Sequence, residues 1–296
     1  MDSPTRLLLT RLGDRMPAVV DLAEAARQQD GVAPLNEHTL LHLASSEDAF
    51  RHLVVETDGR VIGYGFVDLS PEGPAGAECV VHPVARGLGV GRALVSAASG
   101  HAGTRGLEIW AHGDLPAAAA VARHLALRRT RELRRMARDL TEPLPAVQLP
   151  QGITLRTFRP DADDDDWLRL NARAFASHPE QGRLEAADLR SRLEQPWFDP
   201  SGFFVAERDG AMVGFHWTKV HHEESPAVGE VYVVGIDPQA QGGGLGRALT
   251  LRGLHHLRDQ GLGSVQLYVE ADNAAAVRIY ERLGFAVVGV DVQYRS

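Results

Sequence analysis

Two polar residues and a run of glycines in the last third of this 296-residue chain could carry chemistry. Glu230 opens a β-branched run, Glu230-Val-Tyr-Val-Val-Gly-Ile-Asp-Pro, which reads as a strand closed by a turn. Side-chain alternation puts Glu230 on one face with Tyr232 and Val234, and it is the candidate general base. Tyr280 follows Asn273 by seven residues, two turns along one helix face, and is the candidate general acid. Between them stand Gln241, Gly242, Gly243, Gly244, Leu245, Gly246 and Arg247, followed by an apolar-periodic segment over 248–257. The order is strand, glycine loop, helix. Adjacent glycines leave successive backbone N–H groups unobstructed at a helix N-terminus, where unpaired donors and the helix dipole favour an anion such as phosphate.

Glycine loops serve several phosphate ligands. A dinucleotide loop would read G-x-G-x-x-G, and a nucleotide-triphosphate loop would end in Gly-Lys-Ser/Thr. Neither is present. The pattern Gln241-x-x-Gly244-x-Gly246 resembles the acetyl-CoA pyrophosphate loop of the GNAT acyltransferases. Asn273, Ala276, Tyr280, Gly284 and Phe285 are similar to that family's N-x-x-A-x-x-x-Y-x-x-x-G-F segment. The resemblance implies an α/β fold with a mixed sheet and acetyl-CoA as cosubstrate. It places acetyl-CoA on Val234, Gly235 and Ile236, on the loop from Gln241 to Arg247, and on Asn273, Ala274, Ala275, Ala276, Val277 and Arg278. A thioester is already activated, so the remaining tasks are few: take a proton from the ammonium, stabilise the oxyanion and reprotonate the thiolate. Glu230, a backbone N–H near Gly235 and Tyr280 fill those roles in turn.

The first half repeats the second. Glu78-Cys-Val-Val-His-Pro and Arg86-Gly-Leu-Gly-Val-Gly-Arg lead into a helical segment, with Arg86 matching Gln241 and Gly91 matching Gly246 at a constant offset of 155. Two tandem domains follow: residues 1–140, a linker over 141–152 holding three prolines, and residues 153–296. The same offset sets Ala75 against Glu230, and alignment on Leu125 and Leu283 sets Ala122 against Tyr280. The first copy keeps the loop without either polar group, so it is expected to bind or to scaffold and to be catalytically inactive. Helices are expected over 8–30 and 36–53, a strand over 60–69, a hairpin turned at Asp209-Gly210, and an acidic helix start over 161–166.

Composition narrows the class. The hydrophobic share of 44% and charged share of 24% are those of a globular protein. A formal net charge of −8 argues against a general nucleic-acid binder. Cys79 is the one cysteine, which excludes an internal disulfide and suits a reducing compartment; in its apolar strand it reads as core filling. No stretch approaches a membrane span, and Met1-Asp-Ser-Pro-Thr-Arg has no leader character, so a monomeric cytoplasmic protein without membrane partner is expected. No metal set is expected among the thirteen histidines; His38 and His42 lack the intervening glutamate of a zincin. Lys219 is the sole lysine of an arginine-rich chain and reads first as an ordinary surface residue.

The strings His178-Pro-Glu-Gln-Gly, Phe215-His-Trp-Thr-Lys-Val-His and Leu267-Tyr-Val-Glu resemble an actinobacterial tandem branch of this family that acetylates the cysteinyl amine of a cysteinyl-glucosaminyl-inositol. That resemblance implies substrate contacts at Glu37, Glu180, Lys219, Glu230 and Tyr268, with the substrate between the domains. It also implies a second acetyl-CoA on Cys79, Val80, Val81, Gly87, Leu88, Gly89, Val90, Gly91 and Arg92. Another amine acceptor, such as a peptide N-terminus or an aminoglycoside, and a non-catalytic acyl-CoA sensor remain as alternatives.

Overall fold

The computed structural model describes residues 6–70, 73–176 and 179–296. The chain divides into two compact units, residues 1–134 with 289–296, and residues 135–288. These bounds differ from the expected 1–140 and 153–296 in two respects. One strand, β6 (Arg128–Asp139), lies inside the expected first domain but carries the boundary between the units, at Arg134 and Arg135, and the end of β12 (Ala286–Arg295) counts with the first unit.

In the first unit the elements are β1 (Arg6–Thr10), α1 (Met16–Asp30), α2 (Glu37–Leu41), β2 (Phe50–Thr57), β3 (Arg60–Asp68), β4 (Ala75–Val81), α3 (Val90–Ala102), β5 (Leu107–Ala111) and α4 (Pro116–His124). The strand order is β1-β2-β3-β4-β5-β12, antiparallel except for the parallel pair β4–β5. The expected helix over 8–30 begins only at Met16, because Leu7, Leu8 and Leu9 pair with Val55, Val54 and Leu53 of β2. The expected helix over 36–53 ends at Leu41 for the same reason: Phe50 onward is hydrogen-bonded to β3. Apolar spacing over so few residues suits either state until a partner strand decides it.

The second unit holds β7 (Ile153–Thr157), α5 (Asp164–Ala174), α6 (Pro179–Gly182), α7 (Ala186–Leu193), β8 (Phe203–Arg208), β9 (Ala211–His221), β10 (Val228–Ile236), α8 (Leu245–Asp259), β11 (Ser264–Glu270) and α9 (Ala274–Arg282). Here the order is β11-β10-β9-β8-β7, with β10–β11 the parallel pair. The β8–β9 hairpin turns at Asp209 (φ 53°) and Gly210 (φ 77°), the left-handed pair that matches strand twist. Trp167 of α5 packs against Phe203, Phe215 and Trp217 of the hairpin, all four fully buried, with Phe203 stacked on Trp217 at 4.5 Å. The acidic run starts α5, where Asp163 is held by Arg156 and Arg159. Burial would raise the Asp163 carboxyl, but those two guanidiniums bring it down to about 2. The proline-rich stretch over 141–152 is packed rather than loose: Leu144 and Val147 lie on the core of the second unit, and His255 bonds the Pro145 carbonyl at 2.8 Å.

Candidate active site

Strand β10 creates the site by pairing differently along its two edges. Toward β9 it is bonded along its length, with one register shift between Val231 and Val233 that leaves Tyr232 as the extra residue. Toward β11 the register comprises Gly229 with Val265 and Glu230 with Gln266. Glu230 is therefore the last paired residue before the two parallel strands part, and Val231 to Ile236 present a strand edge to whatever enters the gap. The gap opens onto the glycine loop. Asp237 caps a short turn by accepting the Gln239 N–H at 3.0 Å, and Gly242 (φ 88°) and Gly244 (φ 82°) take left-handed conformations before α8. Nothing lies within 4 Å of where a Cβ would stand on Gly242, Gly243 or Gly244. Bare amides at the N-terminus of a 15-residue helix, beside an open strand edge, fit the pyrophosphate and pantetheine arm of acetyl-CoA.

Glu230 is 8% exposed and faces Lys219 directly across the β9–β10 ladder. Its Oε2 lies 2.5 Å from His221 Nε2, and His221 Nδ1 lies 2.9 Å from Glu223 Oε1. The hydrogen bond to Glu230, more than burial opposes it, raises the His221 pKa above its ordinary value. Lys219 is not the expected surface residue: it is buried, with Nζ 4.7 Å from the Trp197 ring centre and 5.7 Å from that of Tyr232. Tyr280 lies on α9, whose cap is Asn273 Oδ1 accepting the Ala276 N–H at 3.1 Å. Its ring meets Phe285 edge-on at 5.7 Å, and burial pushes the phenol up to about 12, so it stands protonated. An added Cβ on Gly235 would land on the Phe215 ring of β9, so packing between the paired strands explains a glycine at this position.

Other expected contacts scatter more widely. Tyr268 is 45% exposed on β11. Glu37 is exposed in the first turn of α2, in the first unit. Glu180 falls in α6, and its side chain lies outside the described residues. His221, Glu223 and Trp197 were not among the expected site residues. His221 had a legible signal, since it stands two after Lys219 in an alternating strand and so shares its face.

The first unit repeats the loop in backbone detail. Gly87 (φ 79°) and Gly89 (φ 87°) match Gly242 and Gly244, and His82 caps its turn through Val84 as Asp237 does through Gln239. A cavity of about 650 Å³ reaches from this loop to Val81, Trp110, Val121 and Ala122. Cys79 lines it, its thiol pushed up to about 12 by burial first and by Glu78 second. The Leu127 N–H bonds the Ala122 carbonyl at 2.9 Å just as Phe285 bonds Tyr280 at 3.0 Å, so Ala122 does occupy the tyrosine's place. The counterpart of Glu230 needs correcting from Ala75 to Gly76. Gly76 faces Asp68 where Glu230 faces Lys219, because the extra residue Tyr232 moves the second copy by one. Either residue lacks a carboxylate. Among the described residues, no three or more His, Cys, Asp and Glu side chains are placed to hold a metal ion. No helix of the described residues is long and apolar enough to cross a membrane.

The model of the acetyltransferase (GNAT) family matches twice, over residues 17–127 and 165–285, and the chain belongs to that family. It is similar over nearly its whole length to mycothiol acetyltransferases: 54% identical to that of Thermobispora bispora over 94% of this chain and 95% of the relative, and 53% to that of Nocardia farcinica over 96% and 95%. Among solved structures, a GCN5-related N-acetyltransferase from Sphaerobacter thermophilus aligns with a TM-score of 0.77 at 24% identity, covering 99% of this chain and 96% of that one. A tandem GNAT protein from the clavulanic acid biosynthesis pathway aligns with a TM-score of 0.75 at 22% identity, covering 99% and 98%. These two support the fold.

Proposed function

We propose that the chain transfers the acetyl group of acetyl-CoA to the cysteinyl amine of desacetylmycothiol, 1D-myo-inositol 2-(L-cysteinylamino)-2-deoxy-α-D-glucopyranoside, completing mycothiol as a monomeric cytoplasmic enzyme. The observation that carries the catalytic part is the position of Glu230, a buried carboxylate at the point where β10 and β11 part beside the glycine loop. Acetyl-CoA lies along Val234 to Ile236 with its pyrophosphate on Gln241 to Arg247 and its arm beside Asn273 to Arg278. Glu230 takes the ammonium proton, directly or through water, and the amine attacks the thioester carbonyl. A backbone N–H near Gly235 steadies the oxyanion, and Tyr280 protonates the departing sulfur. Glu37, Glu180, Lys219 and Tyr268 contact the acceptor, whose hydroxyls and cysteinyl nitrogen suit carboxylates and an ammonium. The choice of acceptor leans on the mycothiol acetyltransferases that are more than half identical to this chain.

The first unit holds a second acyl-CoA without turning it over, since Gly76 and Ala122 stand where base and acid would be. An acceptor panel tests the assignment. Turnover with the cysteinyl-glucosaminyl-inositol far above that with a peptide amine, an aminoglycoside, free cysteine or glucosamine is expected, and equal turnover with any of these would overturn it.

A further inference from the structure

The base proposed above does not stand alone, and its second oxygen decides how it works. Glu230 and His221 are diagonal neighbours: Glu230 faces Lys219 and Val228 faces His221, so His221 and Lys219 point to the same side of the ladder as Glu230. Both ring nitrogens of His221 are engaged, Nε2 with Glu230 at 2.5 Å and Nδ1 with Glu223 at 2.9 Å. His221 and Glu230 are shielded, their side chains 15% and 11% exposed, while Glu223 is 71% exposed. Two carboxylates on opposite sides of one imidazole fix its plane and favour its doubly protonated form. The ring then donates to Glu230 Oε2 and occupies that oxygen.

We propose that His221 is a positioning residue for proton removal: it holds one oxygen of Glu230, so that the other oxygen is left to receive the proton of the acceptor ammonium. This rests on the reading of Glu230 as the base. The arrangement follows the logic of a catalytic group oriented by a second group that a third group orients in turn, here Glu230, His221 and Glu223. Proton balance is simple. The ammonium loses two protons on becoming an amide; one ends on the CoA sulfur and the other goes to Glu230 and on to solvent. Lys219 is the further charged group opposite Glu230, and its positive charge acts against protonation of His221. It therefore belongs in any account of the pH dependence.

The test compares His221→Gln, His221→Phe and Glu230→Gln in the full chain, with kcat and KM measured for both substrates between pH 5.5 and 9. His221→Gln keeps a donor for Glu230 and loses the charge, so its kcat should fall about tenfold with the acidic limb moved upward by about one unit, the KM for acetyl-CoA staying within about twofold. His221→Phe, which removes the donor as well, should fall further, and only the Gln variant should recover at high pH. Unchanged acidic limbs and kcat within about twofold in both His221 variants would overturn the proposal. Wild-type turnover in Glu230→Gln would instead overturn the base itself, so the two failures are told apart.

Discussion

Glu230 and His221 meet across the β9–β10 ladder at 2.5 Å, with the carboxylate at the last paired position before β10 and β11 separate. On the proposed reading, an acyl donor lying along β10 beyond Glu230 would bring its thioester to the residue where pairing stops, beside the carboxylate proposed as the base.

Replacing Glu230 by Gln preserves shape and removes the proposed proton acceptor. A loss of about 10²- to 10⁴-fold in kcat/KM is expected, with acetyl-CoA still bound, since general base catalysis is of that size. Steady-state kinetics with a parallel acetyl-CoA titration checks it.

Tyr280→Phe deletes the phenol and keeps the edge-on contact with Phe285. Because burial holds this phenol protonated, its loss should slow departure of the thiolate, lowering kcat by about 10²-fold with little change in stability. A thermal melt beside the kinetics separates the two effects. The matching change in the first unit, Ala122→Ser, should leave turnover unaltered.

The repeat was legible because what it requires is local. A left-handed backbone at Gly87, Gly89, Gly242 and Gly244 is written in the glycines themselves, and so is the Asp209-Gly210 turn. Glu230 and Tyr280 could be chosen because they sit at fixed distances from those loops. What depended on partners far away in sequence was not legible. Leu8 and Leu53 look helical until β1 and β2 find each other, and Tyr232 gives no sign of being the extra residue that sets Gly76 rather than Ala75 opposite Glu230's role. Burial of Lys219 against Trp197 likewise depends on a loop 22 residues earlier in the chain.

The loop amides can be tested through their glycines. Gly244→Val places a β-branched side chain at φ 82°, where L-residues are strained, and sets it over the amides of the α8 N-terminus. The KM for acetyl-CoA should rise by tenfold or more while the KM for the acceptor changes little, as product assays at varied donor concentration would record.

His112 in the first unit makes a pH prediction. Its Nε2 bonds Glu78 at 2.7 Å and its Nδ1 bonds Asp291 at 3.0 Å. Burial opposes the charge, but the Asp291 and Glu78 carboxylates together raise its pKa from 6.5 to about 10. The folded-state value lies above the unfolded one, so the stabilisation is complete below 6.5 and is lost as pH rises through about 10. Between pH 7 and 10.5 the wild-type unfolding midpoint in urea should fall more than that of His112→Gln. Equal falls would show that the imidazolium contributes nothing.

The most direct measurement is release of free CoA from acetyl-CoA by the purified chain, with and without the desacetyl cysteinyl-glucosaminyl-inositol. The account predicts turnover that requires this acceptor, is weak with free cysteine or glucosamine, and disappears in Glu230→Gln. Acetyl-CoA bound with no turnover on this acceptor, or full turnover in Glu230→Gln, would contradict it.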